Sequence, residues 1–225
     1  MAQNIQTRLQ YKTGLTADAT EWTQMFQDAC RKVCMDLLKT RPTLLKRMST
    51  WTSGSNSVNL QNNSVIIMSV LCDDYPAREV DIKDKQFLWD GTSTNTLDTI
   101  FRVSAMSPAY YIDTFTDTDT SITVMPSTVS STKVEFVDYS TMDSLNISSA
   151  TNSNRIPAEV LDIIIVYTSI LILENQVSDL VNEEEDVELA NALHATINLL
   201  ANEYYGMLAA GTPPSQPAPP AEGEE

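Results

Sequence analysis

The sequence predicts an α+β fold: a helical bundle of one N-terminal helix and two long C-terminal helices, a central antiparallel β meander, and a disordered C-terminal tail. Three observations predict it. Apolar residues recur every three or four positions from Trp22 to Leu37 and from Leu189 to Leu208. The period changes to two between Ser64 and Tyr139. The stretch from Val160 to Leu173 is apolar on nearly every side. The expected division is 1–50, an N-terminal arm and helix; 51–155, a β region with loops; 156–211, two helices completing the bundle; and 212–225, a Pro/Ala/Glu tail. At 225 residues and 42% hydrophobic content the chain can bury a substantial core.

Asp18 followed by Glu21 is a capping pair, and Trp22, Met25, Phe26, Ala29, Val33 and Leu37 form one buried stripe, so the first helix is expected over 19–40. Pro42 ends or bends it, with Leu44, Leu45 and Met48 in one further turn before a loop over 49–63. Strands are expected at 65–71, 79–82, 87–89, 99–103, 110–115, 122–125 and 133–139, short β-branched and aromatic runs divided by turn clusters such as Asp73-Asp74-Tyr75-Pro76. The alternation of Val134 and Phe136 with Lys133 and Glu135 predicts one face on the core and the other in water.

A Ser/Thr/Asn-rich connector over 140–155 leads to Pro157, which suits a first helical turn. The helix that follows, about 24 residues and so roughly 36 Å long, should be covered on most sides, by its own subunit or by a neighbour. The N-terminal helix alone cannot cover it. Asn182 is expected to cap the last helix, with Glu183 to Asp186 at its positive end and a stripe of Leu189, Leu193, Ile197, Leu200, Tyr204 and Leu208. Gly206 or Gly211 should close that helix.

Charge is segregated. Through Thr50 there are eight basic and four acidic residues, a charge of +4, and the remainder carries −20 of the total −16. Every Lys and Arg lies at or before Arg155, and the last 70 residues hold 13 carboxylates. A pI near 4.3 argues against a general nucleic-acid binder, because phosphate binding needs a basic face. Three cysteines without a pairing pattern fit a reducing compartment and plain packing. No signal peptide is recognised, and the apolar run from Ile163 to Leu173 is too short to span a bilayer of about 30 Å, so a soluble intracellular product with no membrane role is expected.

Enzyme chemistry finds little support: there is no Gly-rich phosphate loop, no G-x-S-x-G elbow and no H-E-x-x-H, and His194 sits at the edge of an apolar stripe. No catalytic, cofactor-binding or metal residue is therefore assigned. Asp117-Thr-Asp119-Thr-Ser121 opens like a calcium loop, but lacks a glycine at its sixth position and has Thr128 where an acid is needed, so it reads as a hairpin tip. Glu183 to Asp186 reads as a solvated first turn. Of the tryptophans, Trp22 belongs to the core stripe, Trp51 is equally placed for packing or a partner, and Trp89 is a further interface candidate.

Taken in order, helix, β region, connector and Ile-Pro before two helices, the chain resembles the head-to-tail adaptor (connector) proteins of tailed bacteriophages. The residues carrying the resemblance are Tyr75-Pro-Ala-Arg-Glu-Val80, Tyr110-Tyr-Ile-Asp113, Ile122-Thr-Val-Met-Pro126, Val134-Glu-Phe-Val-Asp-Tyr139 and Arg155-Ile-Pro-Ala-Glu-Val160. The resemblance implies a structural protein of the virion neck, made in the host cytoplasm. It implies a ring, usually of twelve copies, docked beneath the portal protein, joined to a tail or tail-nozzle protein and continuing the channel through which double-stranded DNA passes without sequence-specific binding. No enzyme activity or cofactor is implied. On this reading Glu174, Asp179 and Glu188 are candidates to face the channel, and Arg31, Lys32, Lys39, Lys46 and Arg47 to contact the portal, with the Pro-rich tail as a second route to it. Alternatives are a tail-completion or terminator ring, expected to be richer in β structure, and a cytosolic protein–protein interaction module.

Overall fold

The computed structural model describes residues 4–16, 18–60, 65–87, 103–115, 119–139, 147, 156–182 and 187–210. The chain is α+β, with five α-helices and two four-stranded sheets among these residues.

The N-terminal arm contains a helix, α1 (Ile5–Thr13), that the sequence analysis did not anticipate. The Asn4 carboxamide oxygen accepts from the Thr7 N–H at 2.7 Å. Gly14, at φ 72°, closes the helix by donating its N–H to the Gln10 carbonyl. Ile5 and Leu9, one turn apart, anchor it in the main core.

Helix α2 (Ala19–Thr40) has the expected bounds. The Asp18 carboxylate accepts from the Thr20 and Glu21 N–H groups at 2.9 and 3.2 Å. Asp18→Ala should lower stability by about 1 kcal/mol, measured by urea denaturation, because it orphans donors at the helix start. Glu21 does not return the bond: its Oε1 accepts from the Asn175 amide at 2.6 Å and ties α2 to a later helix. Pro42 opens α3 (Pro42–Lys46), which buries Leu44 and Leu45. Met48 lies beyond its end.

The expected loop over 49–63 instead holds two strands, β1 (Thr50–Gly54) and β2 (Ser57–Asn59). Their Ser/Thr/Asn composition suits exposed edge strands. Gly54 is required between them, since a Cβ there would sit 2.6 Å from the Ser57 carbonyl oxygen. Gly54→Ala should cost about 1–3 kcal/mol by the same assay.

The remaining strands are β3 (Val65–Cys72), β4 (Tyr75–Pro76), β5 (Arg78–Glu79), β6 (Ala109–Phe115), β7 (Thr120–Met125) and β8 (Thr132–Asp138). They do not form one meander. One sheet runs β1-β8-β3-β4 and the other β2-β7-β6-β5, antiparallel except for the parallel β5–β6 pair. Ile82 and Phe87, expected in strands, lie in a 3-10 turn (Ile82–Phe87). Residues 88–102, with Trp89 and most of the 99–103 strand, lie outside the described residues.

The sheets stack through Val58, Tyr110, Ile122 and Val124 on one side and Val70, Cys72 and Val134 on the other. The opposite face of the first sheet sends Ile66 and Val137 into the helical core. That sheet is thus covered on both faces, and the expectation of a water-facing Glu135 is overturned: its side chain is 2% exposed. Burial alone would raise its pKa. Hydrogen bonds from the Ser49 and Ser69 hydroxyls at 2.7 and 3.0 Å, with Lys46 Nζ at 3.4 Å, outweigh it and hold the carboxyl below its usual value.

Helix α4 (Ala158–Asn182) follows Pro157, whose carbonyl accepts from the Val160 and Leu161 N–H groups. It packs against α1, α2 and α5 (Val187–Ala209), so its all-round apolar surface is covered within the chain. Arg8–Asp162 and Lys12–Glu203 (2.8 Å) fasten α1 across α4 and α5. The buried hydroxyls of Thr168 and Ser169 donate to the Ile164 and Ile165 carbonyls, both at 2.8 Å. The 24 residues Ala158–Val181 are long and apolar enough to cross a membrane, with a mean hydropathy of 1.6, more than the shorter run read from sequence suggested. Two-thirds of that window is buried in the fold.

Asn182 is the last residue of α4, not the cap of α5. Residues 183–186 lie outside the described residues, as do the connector over 140–146 and 148–155 and the tail from Gly211. Gly206 lies inside α5, which continues to Ala209.

Candidate interface surfaces

Helices α2 and α4 run antiparallel. The start of α2 meets the end of α4 through Glu21–Asn175, while Arg47 Nη1, just past α3, reaches Glu159 Oε2 at the start of α4 at 3.4 Å. This arrangement gathers like charges at opposite ends of the helical layer. At one end Asp18, Glu21 and Asp179 border a cleft of about 360 Å³ floored by Trp22, Met25 and Ile172. Glu174 and Glu188 are exposed toward the same end. At the other, one α2 length away or roughly 33 Å, lie Lys39, Arg41, Lys46 and Arg47.

All three acidic candidates are exposed, but they do not share one face. Asp179 lines the cleft, whereas Glu174 bears on Tyr167, on the side of α4 facing Lys32. The outward face of α5 carries one carboxylate, Glu188, at its start; beyond it Ala192, Ala195, Leu199, Asn202, Gly206 and Ala209 run along the face, and Leu199 is 71% exposed. Glu203, on that helix, is paired with Lys12.

The five basic candidates are exposed but unequally free. Lys32 pairs with Asp36 at 3.0 Å, and this hydrogen bond raises its pKa. Lys46 reaches Glu135, and Arg47 reaches Glu159. The Arg31 guanidinium lies 5.9 Å over the Tyr139 ring. Among the described residues Lys39 has no carboxylate within ion-pair distance. Lys32 and Lys39 border a groove of about 360 Å³ between α2 and α5, with Asp36, Thr40, Tyr205, Leu208 and Ala209. Its wall is fixed by the Tyr204 hydroxyl, which donates to Asp36 at 2.7 Å; burial first, then this bond, pushes the Tyr204 pKa up. Tyr204 also packs edge-on against Tyr205.

Sequence reasoning missed Tyr205, 66% exposed, because it abuts Tyr204 of the buried stripe. Trp22 is buried, and Trp51, on edge strand β1, is half exposed. The Asp117 motif falls at the connection of the paired strands β6 and β7, with Asp117 outside the described residues. Among those residues no group of three or more His, Cys, Asp or Glu side chains is placed to hold a metal. Cys30, Cys34 and Cys72 are buried, and burial pushes the Cys72 thiol up to about 11, which suppresses thiolate chemistry. No protein-family model and no curated protein matches the chain.

Proposed function

We propose that the chain is a structural, non-enzymatic component of a phage virion neck, a head-to-tail adaptor whose copies form a ring beneath the portal protein. The observation that carries this reading is the separation of charge along the helical layer, acidic at the α4–α5 junction and basic at the α2–α3 end. A part joining two unlike partners around a DNA passage gains from such polarity. Of the three acidic candidates, which do not share one face, Asp179 at the cleft with Asp18 and Glu21 would repel phosphates and let DNA slide. Arg31, Lys32, Lys39, Lys46 and Arg47 attract the portal, and charges at an interface rim mainly set association rate and specificity. In this reading α1, α2, α4 and α5 are the adaptor's helical bundle, and the two stacked sheets stand where a meander was expected.

In this reading the ring contact is not assigned to α4, two-thirds of which is buried within the chain. It falls to exposed surfaces such as the stretch of α5 around Leu199, where Ala195, Leu199 and Asn202 carry no charge. A tail-completion or terminator ring is the second reading, favoured by the eight strands in two sheets among the described residues and opposed by the two long C-terminal helices. A cytosolic interaction module would form a small oligomer with no virion association.

Mixing the purified chain with portal rings and following sedimentation tests the basic end. Lys39→Glu with Arg47→Glu should weaken binding by about tenfold or more, most of all at low salt. Unchanged binding would remove the basic end from the portal contact.

A further inference from the structure

An edge strand exposes a row of backbone donors and acceptors, and folds ordinarily guard it with charge, proline, brevity or a bulge. Three of the four edge strands here are guarded in that way. β4 has two residues, one of them Pro76; β5 has two, Arg78 and Glu79, both charged; and β2 has three. The fourth, β1, is five residues long, Thr50-Trp51-Thr52-Ser53-Gly54, without charge or proline. Among the described residues its only ladder partner is β8, in unbroken register from Thr50 opposite Phe136 to Gly54 opposite Thr132. Alternate residues of β1 therefore turn their N–H and C=O groups away from the sheet, and Trp51 beside them is 50% exposed. We infer that β1 of one copy pairs antiparallel with β1 of a second copy, about a two-fold axis at Thr52.

The groups on offer are backbone donors and acceptors at strand spacing, so the occupant is an extended strand. The order of residues in β1 fits its own reverse. With Thr52 opposite Thr52, Trp51 stands opposite Ser53 of the second copy and Thr50 opposite Gly54, so each larger residue meets a smaller one. The two Trp51 side chains become diagonal neighbours on one face, at the spacing of about 7–8 Å that aromatic side chains bridge. The two Thr52 side chains meet on the other face as a β-branched cross-strand pair. This register serves whichever alternate set of residues faces outward: the hydrogen-bonded pairs fall at Thr52–Thr52 and Thr50–Gly54 in one phase and at Trp51–Ser53 in the other.

Charge does not oppose the approach. Neither strand carries any, and antiparallel pairing takes Lys46 and Arg47 of the two copies to opposite ends of the contact. A two-fold contact closes at two copies and does not propagate. It therefore describes the free chain, leaves both charged ends of the helical layer open, and holds whether or not the chain belongs to a virion neck.

Sedimentation of the full chain over about 5–500 μM should show a monomer–dimer equilibrium. Trp51→Lys, which places a charge on the edge and removes the aromatic pair, should raise the dissociation constant at least about tenfold while the circular dichroism stays that of the folded chain. Disulfide capture reads the register. Thr52→Cys should link two copies on mild oxidation, since directly paired Cα atoms lie about 4.5–5.5 Å apart, whereas Thr50→Cys should not, the two positions 50 being about 14 Å apart. Cys30, Cys34 and Cys72 are buried and do not compete. A chain that stays monomeric over this range, self-association indifferent to Trp51→Lys, or capture at position 52 no greater than at position 50 would each overturn the proposal.

Discussion

Ile164→Ala should lower the unfolding free energy by about 2–5 kcal/mol, the range for emptying a buried aliphatic site. Ile164 is fully buried in α4 at the centre of the largest apolar cluster, so the cavity opens where helices meet and can close only partly. For a chain of this length each kcal/mol moves Tm by about 2–4 °C, which calorimetry resolves readily. Leu199→Ala, on the exposed face of α5, should stay within about 0.5 kcal/mol of the parent. The contrast separates the account from one in which α4 is a subunit interface. If isolated chains exposed α4, Ile164→Ala would alter association and leave monomer stability nearly intact.

Glu135→Ala should cost about 2–3 kcal/mol. The carboxylate is buried and accepts from the Ser49 and Ser69 hydroxyls; on truncation Ser69 loses this acceptor, whereas Ser49 keeps the Lys46 carbonyl at 2.8 Å. Lys46 adds little to the loss, because its head is 61% exposed and returns to water. Replacing the cluster together, Glu135→Leu with Ser49→Ala and Ser69→Ala, should recover much of the loss, since an apolar set of similar volume leaves no orphaned donor. Glu135 also fixes a pH dependence. Its folded pKa lies below the ordinary 4.5, so its stabilisation is complete above that value and is lost as pH falls through the folded pKa. Glu135→Gln should lack this component, and the two unfolding curves should converge in acid. Curves that stay parallel would show that the carboxylate is not held in its charged form.

The sequence signals that succeeded were those written by a single element. The Asp18–Glu21 pair and the stripe from Trp22 to Leu37 define α2 locally, and the all-round apolar character of α4 states that it is covered. What covers it is a tertiary fact. Helix α1 shows only Ile5 and Leu9, with Tyr11 off their face, among Gln, Thr, Arg and Lys, too few apolar positions for a period to stand out, although Asn4 and Gly14 mark its ends. Strands β1 and β2 were hidden by Ser, Thr and Asn, residues that signal loops unless a partner strand supplies the ladder, here β8 and β7. Thr50-Trp51-Thr52 was the available clue. Glu135 was misplaced because period-two alternation implies a wet face only when the sheet has one, and the helices cover the second face here. The charge polarity was half visible: composition along the chain separates basic from acidic, but only the antiparallel run of α2 and α4 puts Asp179 beside Asp18 and Glu159 beside Arg47.

Gentle disruption of purified virions, fractionation of the vertex complexes and quantitative mass spectrometry test the neck assignment most directly. The adaptor reading predicts that this chain travels with the portal at near one copy per portal subunit. Migration with the tail tube, or absence from virions, would contradict it.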